Sequence, residues 1–161
     1  MKKYNFTLFA DYFQFYIQDE LVEGDLSNSW NDEAVKYFIA FAPGKIGVGT
    51  VRNTNVPVEL EILEEIPNYN EGEFEIINEC SIEINSGKLV IAGCTDYFPD
   101  AKRIKLERGI YGVRVYYSNL NKISENGLDG EDSYKLSLWK VKDLIPFKNI
   151  KIDFFRRHTT S

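Results

Sequence analysis

The stretch Trp30–Thr54, WNDEAVKYFIAFAPGKIGVGTVRNT, decides the fold because helix, turn and strand signals follow one another there in a compact order. Asn31 or Asp32 can cap a helix, since a side-chain oxygen accepts from the first free backbone N–H groups. The apolar spacing then predicts a helix over Asp32–Ala42, which ends before Pro43. We interpret this helix as a plug at the end of a sheet sandwich.

A strand is predicted directly after this helix, at Lys45–Val51. Gly47 and Gly49 alternate there with branched residues. Glycine within a strand marks a place where another backbone or a large ring approaches closely. We therefore expect such a close approach on one face of this strand.

The rest of the chain alternates apolar and polar residues between turn signals that recur about every ten residues. Strands are predicted at Tyr4–Gln18 with a break near Ala10-Asp11, Val56–Ile62, Phe74–Ile84, Leu89–Cys94, Arg103–Leu106, Gly109–Tyr117, Tyr134–Val141 and Ile150–Phe155. The aromatic side chains of the first segment are interpreted as core. The pattern predicts a mainly β fold, a two-sheet antiparallel β-sandwich with one short helix.

One further motif supports a sandwich. The segment Leu106–Tyr111 leads from a turn into a strand. Such an arrangement is typical of a tyrosine corner, in which a Tyr hydroxyl binds upstream backbone at the edge of a sandwich.

The length of 161 residues fits one domain. We assign residues 1–155 to a single β-sandwich domain and residues 156–161 to a flexible C-terminal tail. A net charge of −6 disfavours binding to nucleic-acid phosphates and favours a basic protein partner. No apolar run is long enough for a membrane span or a signal peptide, so we predict a cytoplasmic protein with neither nucleic acid nor membrane as partner.

The two cysteines, Cys80 and Cys94, flank a predicted hairpin turn at residues 85–87. A two-residue loop would pair position 80 with 93, whereas a three-residue loop would pair Cys80 with Cys94. In a reducing compartment two small buried thiols are favoured over a disulfide.

Catalytic and cofactor chemistry finds little support in the sequence. The single histidine, His158, lies near the C-terminus, and a Ser-His or Cys-His pair would have to use it. The cysteine spacing matches no zinc site. The glycines near residue 47 precede no helix and so form no phosphate cradle. We predict no catalytic residue, no metal and no cofactor.

Carboxylates are the remaining candidates for chemistry. The segment Glu125–Asp132 is rich in oxygen ligands but lacks the EF-hand pattern, so we interpret it as a solvated acidic loop rather than a calcium site. Asp96 and Asp100 flank Tyr97 and Phe98 in a tight loop. Paired carboxylates act as acid and base on sugars, or they stabilise turns through side-chain bonds. These four residues form an alternative ligand site.

The segments Tyr12–Tyr16, Trp30–Ala34, Gly44–Ile46 and Arg52–Thr54 resemble, in order and spacing, competence protein J. That family consists of small bacterial cytoplasmic proteins that inhibit the DNA-entry nuclease. The match covers roughly the first third of the chain, and the latter half is similar to a group of uncharacterised bacterial proteins. The resemblance implies a class of function and transfers no site residue.

Two hypotheses follow. In the first, the chain is a non-enzymatic protein-binding module, a nuclease inhibitor or immunity protein whose acidic and aromatic surface covers the basic cleft of a nuclease or toxin. Trp30 and Arg52 are its candidate anchors, with Asp129, Glu131 and Asp132 as rim charges, and the alternative for Trp30 is a place in the core. In the second, the chain is a small-ligand or carbohydrate-binding sandwich, or a weak hydrolase, that uses the alternative ligand site.

Overall fold

Two packed β-sheets account for about half of residues 1–68 and 73–154, which are the residues that the computed structural model describes. The elements are β1 Lys2–Phe9, β2 Gln14–Asp19, α1 Asp32–Tyr37, β3 Ile39–Ala42, β4 Lys45–Gly49, β5 Asn55–Leu63, β6 Ile76–Ile84, β7 Lys88–Gly93, β8 Lys102–Lys105, β9 Gly109–Ser118, β10 Ser133–Val141 and β11 Lys148–Ile152. The predicted two-sheet β-sandwich with one short helix is confirmed. The predicted tail at 156–161 lies outside the described residues.

The sheets differ in size and in strand direction. The six-stranded sheet has the order β1-β5-β10-β9-β6-β11, and the five-stranded sheet has the order β3-β4-β2-β7-β8. Neighbouring strands run antiparallel except β5 and β10, which run parallel. Inward-facing side chains from both sheets form one core, among them Phe15, Ile17, Leu60, Val113 and Leu136.

The predicted helix is shorter than expected. Asn31 Oδ1 accepts from the Ala34 N–H at 2.9 Å, so the predicted cap is confirmed. The helix ends at Tyr37 because Phe38 adopts a left-handed conformation with φ 62° and its N–H binds the Ala34 carbonyl. Residues 39–42, predicted as helix, form β3 instead and pair with β4. No helix among the described residues is long and apolar enough to cross a membrane.

The close approach expected at the β4 glycines is confirmed. A Cβ at Gly47 would lie 2.6 Å from Leu26 Cδ1 and 3.1 Å from Trp30 Cζ2. A Cβ at Gly49 would lie 3.1 Å from the Cα of Phe38. Because Gly47 and Gly49 are two positions apart, they lie on the same face of the strand, which accepts the segment before α1 at Gly47 and the end of α1 at Gly49.

The predicted hairpin between the sixth and seventh strands is wrong. β6 pairs with β9 and β11 in the six-stranded sheet, whereas β7 pairs with β2 and β8 in the five-stranded sheet. Residues 85–87 therefore connect the two sheets, and neither register of Cys80 with Cys94 exists. Both cysteines are free thiols, and burial raises the pKa of Cys80 to about 12.

The predicted tyrosine corner is confirmed. The Tyr111 hydroxyl donates to the Glu107 carbonyl at 2.6 Å. Burial raises the pKa of Tyr111, which favours the protonated hydroxyl that donates this bond. The break predicted near Ala10-Asp11 is also present, because β1 ends at Phe9 and β2 starts at Gln14.

Candidate protein-binding surface

Strand direction brings four loops to the same end of the sandwich. They comprise residues 10–13, 50–54, 94–101 and 119–132, and we call them the acidic end. The loops touch one another: the Thr95 hydroxyl donates to Asp11 Oδ2 at 3.0 Å, the Ala10 N–H donates to the Thr54 carbonyl at 2.9 Å, and the Arg52 side chain donates to the Leu128 carbonyl at 3.1 Å. The acidic end is thus one continuous surface.

Carboxylates dominate this surface. Its seven acidic residues are Asp11, Asp96, Asp100, Glu125, Asp129, Glu131 and Asp132, and its only cations are Arg52 and Lys122. All of the acidic residues except Asp132 reach solvent at least in part. Because like charges gathered on one surface add their potentials, this end attracts cationic groups.

Arg52 and Asp132, expected on the surface, form a buried ion pair. Their exposed fractions are 7% and 0%, and Arg52 Nε lies 2.6 Å from Asp132 Oδ1. Arg52 also donates to the Leu128 carbonyl at 3.1 Å. Asp132 is therefore not a rim charge, and Arg52 is not an exposed anchor, because the two side chains tie the turn after β4 to the acidic loop before β10.

Tyr134 completes this buried cluster. Its hydroxyl donates to Asp132 Oδ2 at 2.7 Å and accepts from the Val51 N–H at 2.9 Å. Burial, followed by the adjacent Asp132 carboxylate, raises the pKa of Tyr134 well above its ordinary value. The cluster fixes the base of the acidic loop without exposing a charge.

Asp129 and Glu131 are exposed as predicted, on a loop that is ordered by its own backbone. The Ser124 N–H donates to the Asp129 carbonyl, and the Glu131 N–H donates to the Lys122 carbonyl, each at 2.8 Å. Neither bond uses a carboxylate. The loop therefore presents both carboxylates to solvent on a backbone that its own hydrogen bonds fix.

Trp30 belongs to none of the four loops of the acidic end, and its partner Gln14 directly follows the turn at residues 10–13. Its half-buried ring covers Gly47 on the outer face of the five-stranded sheet, and its Nε1–H donates to Gln14 Oε1 at 3.0 Å. This contact clamps the segment before α1 onto the sheet. Trp30 is neither in the core between the sheets nor freely exposed.

The turn between β1 and β2 carries a feature that sequence reasoning missed. Tyr12 and Phe13 expose 69% and 47% of their surface, whereas Phe15 and Tyr16 in the same aromatic run are buried. Both Tyr12 and Phe13 adopt φ of 58°. The interruption of the run at Asp11 was the available signal that these two rings lie outside the core.

The alternative ligand site is only partly assembled. Asp96, Tyr97 and Asp100 line a groove of about 480 Å³ beside β1. Asp96 Oδ2 also accepts from the Gly93 N–H at 2.8 Å, so this carboxylate stabilises its turn. Phe98 points elsewhere: it packs against the cluster around Tyr16, with the Arg103 guanidinium carbon 5.0 Å from its ring centre.

Within residues 1–68 and 73–154, no group of three or more His, Cys, Asp or Glu side chains could hold a metal ion. His158 lies outside these ranges. The carboxylates of the acidic end are therefore spread over a surface rather than gathered around one point.

The sequence matches no protein-family model and no curated protein. Two solved structures are similar. One is ComJ from Bacillus subtilis, an inhibitor of the DNA degrading activity of NucA, at 19% identity and a TM-score of 0.61 over 88% of this chain and 96% of ComJ. This chain shares the fold of ComJ.

The second similar structure is described as crocagin biosynthetic gene J. It is 15% identical, with a TM-score of 0.61 over 88% of this chain and 100% of its own length. At these identities the comparisons show a common fold. The structural likeness to ComJ extends well beyond the first third to which the sequence resemblance was confined, and a separate relationship for the latter half finds no support.

Proposed function

We propose that this protein is a non-enzymatic inhibitor of the immunity type, which covers the basic nucleic-acid cleft of a nuclease with its acidic end. The observation that carries the proposal is the continuous surface of six solvent-reaching carboxylates, whose only exposed cation is Lys122. The fold that the chain shares with ComJ, a nuclease inhibitor, supports the same conclusion.

The physical basis is charge complementarity. A nuclease cleft carries Lys and Arg because it binds phosphates. The positive potential of these residues attracts a surface of carboxylates just as it attracts the anionic nucleic acid. Such complementarity raises the rate of encounter and selects the partner. Steering weakens with added salt, since the Debye length is about 8 Å at physiological ionic strength.

The residues of the acidic loop have separate roles in this proposal. Asp129 and Glu131 supply exposed rim charges. Arg52 and Asp132 support the loop from the interior, because their buried ion pair fixes the loop that carries those charges. Trp30 holds the segment before α1 against the sheet, next to the turn at residues 10–13.

The test begins with capture of a partner. The immobilised protein is exposed to lysate of its source cells at low salt, the retained protein is identified by mass spectrometry, and its nuclease activity is measured free and bound. We expect a basic nuclease that loses its activity when bound. A retained nuclease that keeps full activity would refute inhibition.

A charge-matched pair of variants tests the surface. The double variant Asp129→Asn/Glu131→Gln changes the acidic end, and Glu64→Gln/Glu65→Gln makes the same change after β5, at the opposite end. We expect slower association for the first, most clearly at low salt, and unchanged association for the second. Equal effects would show that net charge, and not this surface, drives binding.

A second candidate function rests on the groove beside β1. Asp96, Tyr97 and Asp100 line it together, as a small-ligand or carbohydrate site requires. If no protein is retained at low salt, calorimetry with an oligosaccharide panel tests this candidate. Binding that Asp100→Asn abolishes would support it, and binding that this variant leaves unchanged would exclude the groove.

A further inference from the structure

We propose that Tyr12 and Phe13 are the anchors of the acidic end and insert into an apolar pocket that Lys and Arg residues surround on the partner. This inference rests on the proposed function and adds the residues that hold the complex together. It replaces Trp30 and Arg52 as anchors, because the first is clamped to the sheet and the second is buried.

The first argument is exposure. Tyr12 and Phe13 are adjacent, large and solvent-exposed, and Phe9 across the turn is exposed as well. Contiguous exposed apolar surface marks interaction sites on soluble proteins. Aromatic residues are also enriched among the few residues that dominate binding energy. Tyr97 is exposed on the acidic end as well, but this turn places two exposed aromatic rings side by side, directly after Asp11.

The second argument is backbone conformation. Tyr12 and Phe13 both have φ of 58°, a region in which non-glycine residues are strained. Such strain persists only where the surroundings enforce it, and it concentrates at functional sites. A turn built for stability alone would carry glycine or asparagine at these two positions.

The third argument is preorganisation. The Phe13 N–H donates to the Ala10 carbonyl at 3.0 Å, and the Thr50 N–H donates to the Phe13 carbonyl at 2.9 Å. Asp11 Oδ1 accepts from the Tyr12 N–H at 3.0 Å. These bonds hold the backbone below the rings. A held turn loses little conformational entropy on binding, so more of the contact energy appears as affinity.

The surroundings define the partner pocket. Asp11 lies in the turn itself, and Thr95 links it to the loop that carries Asp96. Rings flanked by carboxylates fit an apolar slot with a cationic rim. A Lys or Arg at that rim also gains attraction to the face of the Tyr12 ring. The partner is thus a basic protein surface with one aromatic-sized pocket.

The experiment compares three alanine variants against the nuclease that the wild-type protein captures. Tyr12→Ala and Phe13→Ala remove the proposed anchors. Phe41→Ala removes a ring that is 48% exposed on β3, close to the exposure of Phe13, and serves as the matched control. All three sites are exposed, so thermal unfolding should show the folded state retained in each variant.

We expect Tyr12→Ala and Phe13→Ala each to weaken binding roughly 30-fold, mainly through faster dissociation, while Phe41→Ala changes it less than about twofold. If the nuclease is bound and inhibited as tightly by the anchor variants, this inference is overturned and the proposed function stands. If Phe41→Ala weakens binding equally, the anchors are misassigned. If the wild-type protein retains no nuclease, both proposals fall.

Discussion

The turns at residues 10–13 and 85–87 make the same kind of connection and are built in opposite ways. Each joins the six-stranded sheet to the five-stranded sheet, the first at the acidic end and the second at the other end. In the second turn the positive φ of 79° falls on Gly87. In the first, positive φ falls on two aromatic residues whose rings are exposed.

The polar side chains that stabilise the two turns differ as well. Buried Asp19 organises the 85–87 turn: its Oδ1 accepts from the Asn85 N–H at 3.1 Å, the Ser86 N–H at 2.9 Å and the Ser86 hydroxyl at 2.6 Å. In the 10–13 turn, Asp11 lies near the surface. The same connection is thus optimised for stability at one end and keeps strain and exposed rings at the end where binding is proposed.

The largest effect is expected from Asp19→Ala. Bonds to a carboxylate are strong, and the variant removes the acceptor of four donors, since Oδ2 also accepts from the Leu21 N–H at 3.3 Å, so we expect a loss of about 3 kcal/mol in the free energy of unfolding. Urea denaturation measures this. Asp25→Ala is the control, since Asp25 makes similar bonds to Ser27 at an exposed site and should matter much less. Equal losses would show that Asp19 is no special organiser.

Gly87→Ala should destabilise by about 1–2 kcal/mol, since a Cβ is strained at positive φ. The added atom would also lie 3.4 Å from the Leu106 carbonyl oxygen. Gly127→Ala provides the comparison, because Gly127 has φ of 71° and open space around it. The difference between the two thermal midpoints isolates the contact with Leu106, and a stable Gly87→Ala protein would contradict the description of this turn.

Tyr12→Gly should act in the opposite direction. Glycine adopts the left-handed region freely and little packing is lost, so we expect a gain of about 1 kcal/mol. Tyr97→Gly is the matched control, since Tyr97 is similarly exposed at 71% but has an ordinary φ of −68°. That control should lose stability through greater freedom of the unfolded chain. A lower free energy of unfolding in both variants would contradict backbone strain at residue 12.

The smallest effect is expected from Asp129→Asn combined with Glu131→Gln. Exposed substitutions away from caps and cores usually change the free energy of unfolding by less than about 0.5 kcal/mol. Calorimetry of the double variant checks this expectation. A markedly lower midpoint of thermal unfolding would mean that the two carboxylates stabilise the fold and are not available for binding a partner.

Local patterns predicted the parts of this fold that local interactions determine. The Asn31 cap, the break before Asp11 and the corner at Tyr111 each depend on residues within four positions of one another. The end of the helix was not predicted by local pattern, because Phe38 adopts its left-handed conformation while packing against Gly49. Tertiary packing there outweighed the apolar helical spacing.

The candidate site was harder to predict because distant residues build it. Arg52 and Asp132 are 80 positions apart, and nothing near either residue shows that they neutralise each other. A turn between two apolar strands also looks the same whether the strands pair or enter different sheets, which explains the incorrect hairpin after β6. The exposed rings of Tyr12 and Phe13 share their composition with the buried rings that follow.

The parallel pairing of β5 with β10 also bears on how the chain is made. During synthesis β5 emerges long before β10, so one of its edges has no neighbour until residue 141 is available. Glu59 and Glu61 lie along this unpaired edge of β5, and charged side chains on an unpaired edge disfavour pairing with other chains. In the finished protein the same two residues face Lys135, and the Ser137 hydroxyl donates to Glu61 at 2.6 Å. Carboxylates that lie along an unpaired edge before β10 is made thus become the partners of Lys135 and Ser137 on β10 in the folded protein.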